Sequence, residues 1–255
     1  MNKWIIAARP KTLPAAISPV ILGTALSFND GIFHSIIFGM TLLAAILIQI
    51  GANFANDVYD FQKGTDREDR LGPLRATQSG LITPEKMQIA MWRIFALAIG
   101  VGVYLAWIGG WSIVVIGLVS IAAGIAYTGG PYPLGYHGWG DIFVFIFFGL
   151  VAVPGTYYLQ TGTVTETALW LGVAMGMLST AILVVNNIRD METDIITGKN
   201  TLAVRLGKSF SYIEFSLLVI IPFIIPLYMC LKTRDNMSLL IVWFSLPVAV
   251  HLILQ

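Results

Sequence analysis

The chain has 255 residues, 56% hydrophobic and only 11% charged, with a formal net charge of +1 and a mean hydropathy of +0.78. Soluble domains carry roughly 25% charged residues, so a soluble globular protein and a disordered tail are excluded as main readings. A single cysteine, Cys230, excludes an intrachain disulfide scaffold, and the near-neutral charge leaves no nucleic-acid footprint.

Apolar runs recur at a length that suits lipid. A hydrocarbon core about 30 Å thick takes about 20 helical residues. In chain order that ruler marks residues 13–28, 33–55, 87–108, 111–128, 141–160, 167–188, 209–231 and 237–254. Backbone groups in lipid must be satisfied within the segment, and these runs are apolar on every side, so each reads as a helix rather than a barrel strand. Lys3, Arg9 and Lys11 precede the first run in the manner of a signal peptide, but Pro10, Pro14 and Pro19 interrupt it and no small-residue cleavage site follows. It reads as a retained span. The expectation is an all-α integral membrane protein, a bundle of about eight transmembrane helices around a cytoplasm-facing active-site cavity, with residues 1–255 as one polytopic domain.

Basic residues set the orientation. Thirteen of the fifteen Lys and Arg fall on the side of the amino terminus, and only Lys232 and Arg234 on the other. The positive-inside rule then places both termini and the long loops in the cytoplasm, in a multi-pass arrangement in the cell inner membrane. The opposite loops, FNDGIFH, GGWS, QTGTVTET and KTRDN, are short.

Two polar segments stand out, residues 53–86 and 186–208. Asn56 and Asp60 are four apart, as are Asn186 and Asp190, and the two pairs are offset by 130 residues. This spacing marks the second and sixth spans as equivalent in a weak repeat. Residues at i, i+3, i+4 and i+7 share a helix face, so Asn53, Asn56, Asp57 and Asp60 project together, and Asn186, Asp190 and Asp194 form a similar stripe. Crowded carboxylates repel unless a cation offsets them. Oxygen-rich sites suit Mg2+, which binds through a few carboxylates plus substrate phosphates. Lys63, Arg70, Arg75, Lys199 and Arg205 are placed to bind diphosphate oxygens beyond the metal's reach. A single Asp at a span end is more often a solvated helix terminus; it is the matched pair of stripes that favours function.

These residues resemble the UbiA superfamily of intramembrane aromatic prenyltransferases. NDVYD at 56–60 matches the opening of its first Asp-rich motif and DMETD at 190–194 the whole of its second. Where that first motif has its third acid stands Gly64, with Asp66 six residues after Asp60. NDVYDFQKGTDREDRLGPLRATQSGLIT, ARPKTLPAAISPVILG and YTGGPYPLGYHGWGDIFVFIFFG look like the branch that prenylates 1,4-dihydroxy-2-naphthoate in menaquinone synthesis. Family members usually have nine helices, so eight imply a missing final one.

The resemblance implies Mg2+-dependent transfer from a polyprenyl diphosphate to dihydroxynaphthoate with loss of CO2, giving demethylmenaquinone, inside the lipid bilayer. Asp60, Asp190, Asp194, Asn56 and Asn186 would be catalytic, and Asp57, Asp60, Asp66, Asp190 and Asp194 the metal set. Arg9 is the candidate for the acceptor carboxylate, against a role as topological anchor. Tyr127 and Tyr132, in the turn-rich loop before the fifth span, read equally as an acceptor wall and as an interfacial aromatic belt. Another aromatic acceptor (hydroxybenzoate, a tetrapyrrole) is the runner-up. An ion-coupled transporter is disfavoured, because its acids belong near mid-span.

Overall fold

A computed structural model describes residues 2–66, 72–233 and 237–254. Arg9 stands before Pro10, and a residue before proline is pushed out of the right-handed helical region. Helix α1, Lys3–Ala8, therefore stops there, and Arg9 adopts φ 49° and ψ 71°. It is the only positive-φ non-glycine residue described. After a 3-10 turn at Pro10–Thr12 the chain enters α2, Leu13–Asn29.

Helix α3, Ser35–Gln62, has 28 residues and reaches about 42 Å at 1.5 Å per residue. The next two helices form a hairpin, α4 at Pro84–Gly109 and α5 at Trp111–Ala126, joined by Gly110 at φ 68°. Helix α6, Gly140–Thr161, passes through a π-helical stretch at Phe145–Val151 just ahead of Pro154. Proline lacks the N–H that a regular helix requires there. Helix α7, Glu166–Ile196, has 31 residues, about 46 Å. Short α8, Leu202–Leu206, is capped by the Thr201 side chain. Helix α9, Lys208–Thr233, is followed by a 3-10 stretch at Met237–Ser245 and α10, Leu246–Leu254. Every described helix or turn is helical in hand and no strand occurs among the described residues.

Six helices are long and apolar enough to span a bilayer, and Trp111–Ala126 and Leu239–Leu254 are shorter apolar helices. These eight coincide with the eight runs read from the sequence. Helices α3 and α7 are the longest of them. Both exceed the thickness of a 30 Å hydrocarbon layer, and the two Asn/Asp pairs stand in their last turns.

Helix α3 packs on α4 through Phe54, Ala55 and Val58 against Met87, Met91 and Phe95. Helices α6, α7 and α9 share a second cluster of Val153, Leu171, Ile225 and Met229. Lipid gives helices no hydrophobic reason to associate, so close backbone approach at small residues carries much of the packing. A Cβ on Gly149 would stand 2.5 Å from the Gly172 carbonyl oxygen and 2.6 Å from Gly176 Cα, whereas one on Gly155 would meet nothing within 4 Å. Gly149→Ala is therefore expected to destabilise the protein by about 1–3 kcal/mol, the usual range for overpacking. Gly155→Ala, in the same helix, should be neutral or slightly stabilising. Thermal unfolding of both variants in detergent checks the contrast; equal midpoints would contradict this crossing.

Candidate functional site

The long helices, with α2, α4, α5 and α6, enclose a cavity of about 550 Å3. Helix α3 presents Gln49, Asn53, Asn56 and Asp60 to it, and α7 presents Asn186, Asn187 and Asp190. Both sets follow helical spacing, so each is one face of its helix. The expected meeting of the two Asp-bearing helix ends at one cavity is thus present. Arg9, Arg75, Tyr127, Arg189 and Lys199 complete the polar mouth, while Val103, Leu118, Phe147 and Phe148 belong to the apolar remainder.

The acids at this mouth are paired. Arg75 donates from Nη2 to Asp60 Oδ2 and from Nε to Asp66 Oδ1, both at 3.1 Å, and all three side chains are buried. Tyr136 Oη donates to the other Asp60 oxygen at 2.8 Å. Arg189 grips Asp190 with two parallel bonds of 2.7 and 2.8 Å, and Lys199 Nζ lies 3.6 Å from Asp194. Removing ions from water costs several kcal/mol each, and each of these carboxylates has a basic partner to offset that cost. Burial, with Asp60 beside it, pushes the Tyr136 phenol above its ordinary pKa. Tyr127 is raised by burial and by Asp141, Asp60 and Asp194. Both phenols stay protonated donors at neutral pH.

Several expected site residues lie elsewhere. Asp57 is fully buried and, unlike Asn56, does not line the cavity; its oxygens accept from the backbone N–H of Ala76 and Thr77 at 3.1 Å each. It anchors the segment carrying Arg75 and is not placed to hold a metal at the cavity. Lys63, expected on diphosphate, donates to the Thr128 carbonyl at 2.6 Å and sits over the Tyr136 ring. Its pKa is lowered by burial, against Asp60. Arg205 turns outward and bonds the Asn200 carbonyl at 3.1 Å. Tyr132 is 55% exposed and stacks on His137 rather than lining the cavity. Asp66 and Asp194 stand behind the mouth, each against a basic residue that lines it. Arg70 lies outside the described residues.

Hard oxygen donors at the mouth fit a magnesium ion. Asp60 and Asp190 offer carboxylates, Asn56 and Asn186 amide oxygens, from two facing helices. Among the described residues no three His, Cys, Asp or Glu side chains converge as a preformed metal cage, so the expected five-acid set is not gathered at one point. Arg75 Nη1 is buried without a partner among the described residues, a donor that an incoming anion would satisfy. Sequence reasoning missed Arg189, whose adjacency to Asp190 was the available signal, and Tyr136, which sits in the loop already singled out.

The UbiA prenyltransferase family model matches residues 16–255. A 1,4-dihydroxy-2-naphthoate octaprenyltransferase of Haemophilus influenzae is 41% identical over 215 residues, 81% of this chain and 70% of that protein. The Escherichia coli protein of the same description is 42% identical over 211 residues, 80% of this chain and 68% of that one. A solved UbiA homolog from Archaeoglobus fulgidus, bound to DMAPP and Mg2+, superposes with a TM-score of 0.75 over 99% of this chain and 85% of that one, at 16% identity. The last is a likeness of fold.

Asp57 generates a test that separates anchoring from metal binding. Asp57→Ala leaves two buried N–H groups unpaired, and each such group costs roughly 1–3 kcal/mol. The expected result is a lower thermal midpoint in detergent, with faster deuterium exchange at Ala76 and Thr77. Unchanged protection of those two amides would contradict the anchoring role.

Proposed function

The chain belongs to the UbiA prenyltransferase family, and on that premise we propose that it transfers a polyprenyl group from a polyprenyl diphosphate to 1,4-dihydroxy-2-naphthoate with loss of CO2. One observation carries the reading. Asp60 and Asp190, each with an Asn four residues before it on its own helix, face the same cavity, and that cavity becomes apolar away from them.

Asp60 and Asp190, with Asn56 and Asn186, are the residues to hold Mg2+, which when bound supplies positive charge against the departing diphosphate. Arg75, Arg189 and Lys199 are held on carboxylates in the protein alone and are positioned to share their donors with phosphate oxygens. Asp66 and Asp194 act behind them, fixing Arg75 and Lys199. Tyr136 donates to Asp60 Oδ1 and so fixes the direction of that carboxylate.

The allylic C–O bond breaks and the diphosphate keeps the electron pair. The ring carbon bearing the carboxylate then bonds to the allylic carbon. Loss of CO2 returns the C–C electron pair to the ring, so no proton has to leave. The direct product is therefore a hydroquinone, which becomes demethylmenaquinone only on losing two electrons and two protons. Phe147, Phe148 and their apolar neighbours keep water from the allylic cation, whose capture would yield an alcohol instead. Arg9 faces the same cavity and takes the acceptor carboxylate, which otherwise suffers repulsion from diphosphate. We place the polar mouth and both termini on the cytoplasmic side of the inner membrane, where thirteen of the fifteen basic residues lie.

The purified protein with radiolabelled polyprenyl diphosphate should label dihydroxynaphthoate, release CO2, and stop in EDTA. Asp60→Ala and Asp190→Ala should each lose about a hundredfold or more in turnover, as loss of a charge-stabilising group commonly does. Full turnover in EDTA or in either variant would sink the assignment.

Arg9→Lys keeps a charge but loses the two-pronged grip. It should raise the acceptor KM several-fold, about 1 kcal/mol, and leave the donor KM unchanged. An Arg9→Ala variant with unaltered acceptor kinetics would return Arg9 to the part of a topological anchor.

A further inference from the structure

Gln49 is an amide in the middle of a span. Its neighbours along the cavity wall, Ala45, Ile48 and Ala52, are apolar, and α3 has otherwise only Thr41 as a polar side chain between Gly39 and Gly51. A polar side chain in a membrane helix commonly earns its place by hydrogen bonding across to another helix. Among the described residues Gln49 does not. Its one side-chain hydrogen bond there is made within its own helix, from Nε2 to Asn53 Oδ1, at a long 3.4 Å. Its amide oxygen has no partner among the described residues, and the side chain lines the cavity.

The bond to Asn53 links Gln49 to the acceptor-facing wall. Asn53 spends both Nδ2 hydrogens on the Ala8 carbonyl at 2.9 Å and on Thr12 Oγ1 at 3.0 Å. It thereby fixes the strained bend at Arg9 to α3 and has no donor left for a ligand. Gln49 lies one helical turn deeper on the same face, and the donation to Asn53 turns its oxygen away from Asn53. A carboxylate gripped at Arg9 would place the attached ring along this wall.

We infer that Gln49 is a specificity-determining residue that accepts a hydrogen bond from the 4-hydroxyl of the acceptor ring. This rests on the acceptor reading above and goes beyond it. The 1-hydroxyl stands beside the ring carboxylate and is satisfied internally by it. The 4-hydroxyl has no such neighbour and needs an acceptor on the protein. A site built to bond a hydroxyl disfavours an analogue lacking it, because the site's own group is then left unpaired. The attacked carbon is meta to the 4-hydroxyl, so this contact orients and selects the ring without activating it.

The test is equilibrium binding of 1,4-dihydroxy-2-naphthoate and of 1-hydroxy-2-naphthoate to full-length protein in detergent, each read from its own fluorescence. Wild-type protein should prefer the dihydroxy acid by about tenfold, the scale of one neutral hydrogen bond. Gln49→Leu should weaken the dihydroxy acid by about the same factor, leave the monohydroxy acid within twofold, and leave donor KM unchanged. Gln49→Asn keeps an amide in the span but withdraws its oxygen by one methylene, and it should also lose the preference. Loss of preference in either folded variant supports the inference. A wild-type preference that persists in both variants overturns it alone. Wild-type protein that binds neither acid overturns the acceptor reading and this inference with it.

Discussion

An ionised group at the edge of lipid must have a partner, and the ion pairs of the polar mouth meet that requirement. Arg75 is the clearest case. Its guanidinium bridges Asp60 on α3 and Asp66 just beyond it, which draws the segment after residue 72 back over the helix end. Asp57 secures the same segment through the Ala76 and Thr77 amides. Two carboxylates three residues apart thus divide the work: one faces the cavity and one pins the strap that brings a cation to it. Tyr136 ties the 127–139 loop to Asp60 in turn, and Lys63 closes it from above through the Thr128 carbonyl. The Asp60 side of the mouth is a connected polar assembly.

Behind that mouth the cavity depends on helices that approach closely at some levels and not at others. At Gly149, Gly172 and Gly176 the backbones of α6 and α7 touch. The π-helical stretch of α6 occurs at the same level and turns Phe147 and Phe148 toward the cavity. Pro154 follows within one turn, where a regular ladder would call for a donor it lacks. The distortion needed by proline is therefore used to direct two aromatic rings inward. Tyr127 is seated similarly: a Cβ at Gly135 would lie 2.9 Å from its ring and one at Gly140 2.8 Å from its hydroxyl. Gly135 and Gly140 thus leave the space that one phenol fills.

Much of this was legible in the sequence, for reasons that are physical. Lipid imposes a length on each span, and that length is countable, so the eight apolar segments appear near their expected positions. Helical period and the 130-residue offset brought Asn56, Asp60, Asn186 and Asp190 together correctly. What periodicity could not decide was the direction of adjacent residues. Asp57 follows Asn56 but is rotated by about 100°, enough to exchange the cavity for the underside of a loop. Loop cations were harder still: Lys63 is held by the Thr128 carbonyl, far away in sequence, while Arg75 and Arg205 bond partners nearby in the chain that no helical period links to them. Arg189 was overlooked for the opposite reason: a neighbour in sequence points elsewhere on a helix, and only a long side chain folding back reaches Asp190. Gln49 stands in an apolar run, and only the structure shows that it lines the cavity, its oxygen without a partner among the described residues.

The electrostatic balance of the mouth bears on why a divalent cation belongs with the proposed donor. Asp60, Asp66, Asp190 and Asp194 are matched by Arg75, Arg189, Lys199 and the nearby Lys63, so the ion-paired groups come close to neutrality before any ligand binds. An allylic diphosphate brings about three negative charges. Arginines released from their carboxylates to meet it would leave those carboxylates uncompensated in a poorly solvated place, and the net charge would be no better. Moving the existing partners cannot solve the problem; new positive charge has to arrive with the ligand. Mg2+ suits the oxygens available, since it commonly binds through one or two carboxylates and completes its shell with phosphate and water. The proposed site accordingly offers two acids facing one cavity, Asp60 and Asp190. On the proposed function, the pairing that stabilises the protein alone also makes donor and metal binding mutually dependent.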